Sequence, residues 1–235
     1  MLNYYIHMPE KQANFTLMGG RVKIVRGHYN PTSDAVWLAA SVHGNPETIL
    51  DVGIGTGGAG LCALVHNPSM QLTGIDVSPQ MLADCAHNAG LNNRNIELIN
   101  TDILTWRTLR TFDLVITNPP YFRGTPARHN AHHNIDLGQW VRKCAARVRP
   151  RGYFCIIIDA AVCSTVIAEI NSHFGDIEIF PLYGAKRTAE RVIIRARAGT
   201  HGGTVIHSGF AMNYNPVLRD GLTIDAALAR LGCND

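Results

Sequence analysis

Several patterns are missing from this 235-residue sequence, and each absence removes a class of protein. No apolar run approaches the roughly 20 residues of a membrane span; the longest lies around Phe154 to Val162, and Asp159 interrupts it. No basic start followed by an apolar stretch marks a secretory leader, so a cytoplasmic location is expected. The six cysteines (Cys62, Cys85, Cys144, Cys155, Cys163, Cys233) contain no C-x-x-C pair. Their scatter suits reduced core thiols, and neither a disulfide nor a metal site is expected from them. There is also no internal repeat and no low-complexity segment. The length fits one domain with short additions.

Net charge is only +3, but the positive charge is concentrated. Between Arg107 and Arg151 stand nine basic residues (Arg107, Arg110, Arg123, Arg128, Arg142, Lys143, Arg147, Arg149, Arg151) against Asp113 and Asp136 alone. A second cluster holds Lys186, Arg187, Arg191, Arg195 and Arg197. Charge gathered in this way favours a polyanionic partner over a merely solvated face.

From residue 48 onward short apolar runs alternate with helical patterns. Thr48 to Val52, Gln71 to Ile75, Ile96 to Ile99, Asp113 to Thr117 and Tyr153 to Ile158 read as buried strands. Gly58 to Val65, Pro79 to Ala89, Asp136 to Val148 and Ala160 to Phe174 read as the helices between them, with Pro79 and Asp136 suited to helix starts. The alternation predicts an α/β domain with a mostly parallel sheet and helices on both faces. Two more strands, Ile177 to Pro181 and Arg191 to Ala196, are joined by a connection too short for a helical crossover, so one of them is expected to run antiparallel. Ahead of this domain (46–199), residues 1–45 hold a strand from Gly20 to Arg26 and a helix through Val42, capped by Ser33 or Asp34. Residues 200–235 read as a tail with a final helix from Thr223 to Leu231.

Residues 48 to 60, T-I-L-D-V-G-I-G-T-G-G-A-G, run from buried strand through glycines to a helix start. Such a loop lets backbone approach a ligand closely, at the strand end where open parallel sheets bind ligands. The next strand ends at Asp76, placed to accept from a ribose, with Val77 beside it. The third leads to Asp102 and Ile103, where an adenine ring is expected. These features alone also suit a nicotinamide enzyme. However, Asp51 at the mouth of the strand, ahead of Gly53, Gly55 and Gly57, would repel a pyrophosphate. The Tyr-x-x-x-Lys pair of short-chain hydride-transfer enzymes is absent. A carboxylate there suits the ammonium of S-adenosylmethionine, which carries no phosphate.

The strand Asp113 to Thr117 ends in Asn118-Pro119-Pro120-Tyr121. An exocyclic amino group on a base is a poor nucleophile because its lone pair is delocalised into the ring. Two acceptors on its N–H bonds, the Asn118 side-chain oxygen and the Pro119 carbonyl, would favour a more tetrahedral nitrogen. Prolines hold such a loop without donors of their own. Tyr121 offers a face for stacking, worth roughly 1–3 kcal/mol per base. Carbon-5 pyrimidine methylation is disfavoured, because no cysteine nucleophile stands near this loop. Phe122, Arg123 and Arg128 follow as candidate substrate contacts. His129, His132 and His133 read as a polar loop rather than a metal site, having no cysteine and no carboxylate before Asp136.

These motifs fit amino-methyltransferases generally, including release-factor glutamine-N5 and rRNA guanine-N2 enzymes. The chain as a whole, from about Gly19 onward, resembles the bacterial tRNA(Val) adenine-N6 methyltransferase family. The resemblance is carried by Gly20 to Val42 with Ser33-Asp34-Ala35, Asp51 to Gly57, Asn118 to Phe122, Pro126 to His129, Arg191 to Arg195 and Asp220 to Thr223. It implies a Rossmann-like class I methyltransferase fold of seven strands, the last antiparallel. It also implies S-adenosylmethionine contacts by Asp51, Gly53, Asp76, Asp102 and Asn118, closure of Ser33-Asp34 over the methionine end, and a tRNA substrate with no obligatory protein partner. The chain departs from that family at His28-Tyr29-Asn30, where Gly-Tyr-Arg is usual, and at Asn130, where a glutamate is common.

Overall fold

The computed structural model describes residues 14–25, 27–120 and 136–232. The central sheet starts at β3 (Thr48–Val52), after a separate hairpin of β1 (Asn14–Leu17) and β2 (Val22–Val25) and the helix α1 (Ser33–Ala40). It continues through α2 (Gly58–His66), β4 (Gln71–Asp76), α3 (Pro79–Leu91), β5 (Glu97–Asn100) and β6 (Phe112–Thr117). There follow α4 (Leu137–Ala145), β7 (Val148–Asp159), α5 (Cys163–Ile170), β8 (Phe174–Tyr183) and β9 (Ala189–Ala198).

The strand order β8-β9-β7-β6-β3-β4-β5 is the expected seven-stranded sheet, parallel except for β9. β9 runs antiparallel to both neighbours, because residues 184–188 are too few to carry the chain back along the sheet. The tail contributes more than the expected final helix. β10 (Thr204–Ile206) and β11 (Phe210–Ala211) both pair with β8 and widen the sheet, before α6 (Asn215–Leu218) and α7 (Ile224–Gly232). Their brevity left them without a readable period.

Alternation along each strand sorts the core into two layers. Ile49, Leu114, Ile116, Ile157 and Ile193 face α1 and α2, whereas Leu50, Val115, Ile156 and Ile194 face α4 and α5. α4 is amphipathic, burying Trp140, Val141 and Cys144 and exposing Arg142 and Lys143. α1 is buried nearly all round because the tail covers its outer side, where Trp37 donates to the Met212 carbonyl (3.0 Å) and packs against Phe210. The cap of α1 is Thr32, whose hydroxyl accepts from the Asp34 backbone N–H, rather than Ser33 or Asp34. The helix expected over Ala160 to Phe174 is shorter: Asp159 caps a turn of 3₁₀ helix, and Phe174 already belongs to β8.

One ion cluster fastens the tail to the sheet. Arg195 on β9, 1% exposed, pairs with Glu178 of β8 and Asp225 of α7, each at 2.7 Å, and His43 reaches Asp225 at 2.7 Å. Both carboxylates keep some contact with water, so Arg195→Met is expected to cost about 2–3 kcal/mol, below the usual range for breaking a fully buried pair. Urea denaturation checks this, and a loss under 1 kcal/mol would mean that packing alone holds the tail.

Candidate active site

A cavity of about 830 Å³ opens at the carboxyl ends of β3, β4, β5 and β6. Its floor is the loop that leaves β3. Gly53 (φ 73°), Gly55 (φ 54°) and Gly57 (φ 91°) all lie in the left-handed region, which explains glycine at every second position. A side chain on the next residue, Gly58, would start 2.5 Å from Pro31, so that glycine admits the segment leading into α1.

Of the residues singled out from the sequence, Asp51, Gly53, Gly55, Asp76, Val77, Asp102, Ile103, Asn118, Pro119 and Pro120 line this cavity. Asp76 is oriented by backbone donors: its two carboxylate oxygens accept from Gly55 and Ser78, each at 2.9 Å. Asp102 is held by the Leu104 backbone N–H at 2.9 Å. Asp51 is 2% exposed, and burial pushes its carboxyl up to about 7, with the Gly60 backbone N–H opposing and the Asp76 charge adding.

Gly57 and the Ser33-Asp34 pair do not line the cavity. Gly57 instead starts α2, where a side chain would meet Cys85 Sγ at 2.8 Å. The Asp34 carboxylate accepts from Arg191 Nε at 3.2 Å and so anchors α1 to β9. Tyr121, Phe122, Arg123, Arg128, Asn130 and the three histidines after them lie outside the described residues, as does Cys233. The structure adds cavity residues that sequence reasoning missed: Tyr29, Pro31 and Ala35 from the segment before and into α1, Thr56, Met81, Thr101, and Trp140 from α4. Only the break in the family pattern at His28-Tyr29-Asn30 pointed toward the first of these.

Three side-chain oxygens that face no partner test what this cavity fits. Asp51 Oδ2, Thr56 Oγ1 and Asn118 Oδ1 are buried and have no hydrogen-bond partner among the described residues. Buried polar atoms are normally satisfied, so unpaired acceptors beside a cavity point to a ligand bearing donors or positive charge. Three carboxylates at its rim and an apolar wall of Ile75, Val77, Met81 and Ile103 suit a cationic amino acid joined to a nucleoside. The volume lies within the usual range of small-molecule sites.

The basic clusters divide between the two ends of the sheet. Arg107 and Arg110 precede β6, while Arg147, Arg149 and Arg151 surround the start of β7, so these five stand at the amino ends, away from the cavity. Two of them are neutralised, Arg110 by Glu97 (2.7 Å) and Arg149 by Asp113 (2.6 Å). In the second cluster, Arg191 and Arg195 are taken up by carboxylates, Arg191 reaching Asp34 and Asp159. Lys186 and Arg187 are exposed at the tip between β8 and β9, which is at the cavity end. The five amino-end arginines of the large basic window therefore lie away from the site, while Arg123 and Arg128 lie outside the described residues.

An open α/β sheet in this strand order, with a glycine-floored cavity at its carboxyl edge, defines a class I methyltransferase fold. The chain belongs to the methyltransferase small domain family, whose model matches residues 35–182, and S-adenosylmethionine is the cofactor that this family and fold imply. It is 32% identical over 134 residues to a tRNA1(Val) (adenine(37)-N6)-methyltransferase of Flavobacteriaceae bacterium (strain 3519-10), covering 54% of this chain and 58% of that protein. It is 28% identical over 167 residues to a release factor glutamine methyltransferase of Deinococcus radiodurans, covering 64% of this chain and 58% of that one. The chain thus spans little more than half the length of either relative. Among solved structures, a protein of Agrobacterium tumefaciens described as a predicted O-methyltransferase superposes with a TM-score of 0.62 at 23% identity, covering 75% of this chain and 86% of that one. That likeness concerns the fold alone. Among the described residues no helix is long and apolar enough to cross a membrane.

Proposed function

We propose that this protein transfers a methyl group from S-adenosylmethionine to the exocyclic N6 amino group of an adenine in RNA, with the anticodon loop of tRNA(Val) as substrate, in the cytoplasm. Residues 46–199 are the catalytic domain in this reading, and residues 1–45 and 200–235 are additions to it, whose described parts (14–25, 27–45 and 200–232) pack on it. The observation that carries it is the Asn118 carboxamide oxygen, buried and without a partner among the described residues, at the end of β6 beside the cofactor loop.

S-adenosylmethionine supplies, when bound, a methyl group made electrophilic by its sulfonium. Asp51 would face the ammonium of its methionine end, Asp76 would accept from the ribose, and Asp102 with Ile103 would border the adenine ring. Asn118 Oδ1 and the Pro119 carbonyl each accept one N–H of the target amino group, which frees its lone pair from the ring and aims it. Tyr121 stacks on the target base. No base is required before transfer, because the proton of the methylated nitrogen can leave to water. The residues therefore act chiefly by alignment and hydrogen bonding. An amide nitrogen poses the same problem, and the release-factor relative keeps glutamine methylation as the second reading.

The two readings separate on one experiment. The protein is incubated with labelled S-adenosylmethionine and either unmodified tRNA or release factor, and the digested product is identified. Label in N6-methyladenosine is expected; label in glutamine would sink the first reading. A second test concerns phosphate contacts. Strands lie about 4.8 Å apart and the tip joins β8 to β9, so Lys186 and Arg187 stand roughly 10–14 Å from the catalytic strand, within reach of flanking phosphates. Lys186→Gln with Arg187→Gln is expected to weaken RNA binding about tenfold and to flatten its salt dependence by one to two units of slope. Arg107→Gln with Arg151→Asn, at the far end of the sheet, should leave both nearly unchanged. The reverse pattern would place the RNA on the amino-end window.

A further inference from the structure

The strand that delivers Asn118 ends where its backbone runs out of donors. Pro119 and Pro120 have no N–H, so past Asn118 β6 has no backbone donor to extend its ladder with β3. The last strand residue, Thr117, is fully buried and stands opposite Val52. Its hydroxyl donates to the Val52 carbonyl at 2.9 Å, and the same oxygen accepts the indole N–H of Trp140 at 3.1 Å. Trp140 sits on α4, lines the cavity, and packs 3.6 Å from where a side chain on Gly53 would begin. One buried oxygen therefore joins the residue before the cofactor loop, the residue before Asn118, and the helix α4.

Packing alone does not call for this chain. Valine at 117 would fill nearly the same space as threonine, so the buried hydroxyl is not there to fill the core. What the bonds add is direction, because a hydroxyl with one donor and one acceptor engaged cannot rotate. We infer that Thr117 and Trp140 are positioning residues, a clamp that holds the Asn118 carboxamide in register with the cofactor loop. The inference rests on the reading of Asn118 as the holder of the acceptor nitrogen, and it applies equally to an adenine and to a glutamine acceptor. A misplacement of about 1 Å in such a group can cost about a hundredfold in rate.

The test compares Thr117→Val, Thr117→Ser, Trp140→Phe and the double variant Thr117→Val/Trp140→Phe, using whichever acceptor the wild-type protein methylates. Thr117→Val and Trp140→Phe are each expected to lower kcat by about 10- to 100-fold. For Thr117→Val the KM for the acceptor and the calorimetric Kd for S-adenosylmethionine should stay within about threefold, since Thr117 does not line the cavity; Trp140 does, so Trp140→Phe is read by kcat at saturating cofactor. Thr117→Ser, which keeps the oxygen, should act like the wild type, and the double variant should be no worse than its weaker parent. Unchanged kcat in both single variants, a loss that tracks cofactor affinity, or a serine variant as poor as valine would overturn the clamp. If Thr117→Val does not fold, Trp140→Phe carries the test at saturating S-adenosylmethionine, since it keeps an aromatic ring while removing the indole N–H together with part of the ring volume. A substrate-free arm separates this outcome from failure of the RNA reading: the side-chain amide resonances of Asn118 should shift or broaden in Trp140→Phe with cofactor bound. Resonances identical to the wild type would overturn the clamp even if tRNA proves not to be the acceptor.

Discussion

Asn118→Ala is expected to lower methyl transfer by about 10²–10³-fold while leaving the Kd for S-adenosylmethionine within a few-fold of the wild type. The separation follows from the position of the residue. Asn118 stands at the β6 edge of the cavity, whereas the glycine floor and the three carboxylates Asp51, Asp76 and Asp102 belong to β3, β4 and β5 and the loops that leave them. Its buried Oδ1, without a partner among the described residues, is an acceptor held ready for an N–H that arrives with the substrate. Asn118→Asp is the sharper variant. A carboxylate still accepts hydrogen bonds but loses the amide's donor side and adds negative charge next to Asp51, so an intermediate rate is expected. Single-turnover transfer and calorimetric cofactor titration on the same preparations decide the matter. Transfer by Asn118→Ala at near wild-type rate would remove the mechanism.

Asp51 produces the second large effect, and it depends on pH. Burial raises its carboxyl from the usual 3.8 to about 7, so around neutrality a substantial fraction is protonated in the free protein. A bound ammonium favours the ionised form. Cofactor affinity should therefore rise by up to tenfold per pH unit from about pH 5 to 7 and level off above, with a proton released on binding. Asp51→Asn should bind about 10²-fold more weakly at pH 8 and lose the pH dependence, because a charge-assisted contact is worth roughly 1.5–3 kcal/mol. The same shift has a stability consequence of opposite sense. With a folded-state pKa above the unfolded one, the folded carboxyl retains a proton that the unfolded chain has lost between pH 3.8 and about 7. Stability of the cofactor-free protein thus falls as pH rises through that window, and Asp51→Asn should melt higher than wild type at pH 8. A flat affinity profile, or a less stable Asp51→Asn, would show that the carboxylate is satisfied in some other way.

Most of the sheet could be read from the sequence because parallel strands buried on both faces leave continuous apolar runs. Thr48–Val52 is bounded by the structure where its apolar run is, and the short 184–188 connection disclosed the reversal of β9. Cavity residues that sit on glycine turns or at strand ends were legible for the same reason, since Asp76 and Asn118 stand where readable runs stop and Asp51 is next to the last residue of one. Trp140 and Thr117 were not. Their role comes from one hydrogen bond across 23 residues, and on a one-dimensional reading Trp140 is an ordinary apolar position of an amphipathic helix. Asp34 was misplaced because a carboxylate near a helix start suits a cap, a ligand contact and an ion pair alike, and only the third dimension brings Arg191 to it. Where the described arginines of the basic window lie was not legible either, because a parallel strand carries its two ends about 17 Å apart and residues close in sequence to Asn118 can stand at the opposite end of the sheet.

The position of β9 also bears on how the chain acquires its shape. It is made last among the seven strands of the main sheet, yet it lies between β7 and β8. Until it emerges, β8 has no neighbour to join, whereas β3 through β7 with their helices are already contiguous in both sequence and space. The cofactor pocket can thus nucleate early from short loops, and the remainder waits on closures of long span that pin residues 41 and 43 to 195 and 225. During synthesis the part that does chemistry precedes the part that seals it, and the unsealed edge of β7 is what a chaperone or a second nascent chain would meet first.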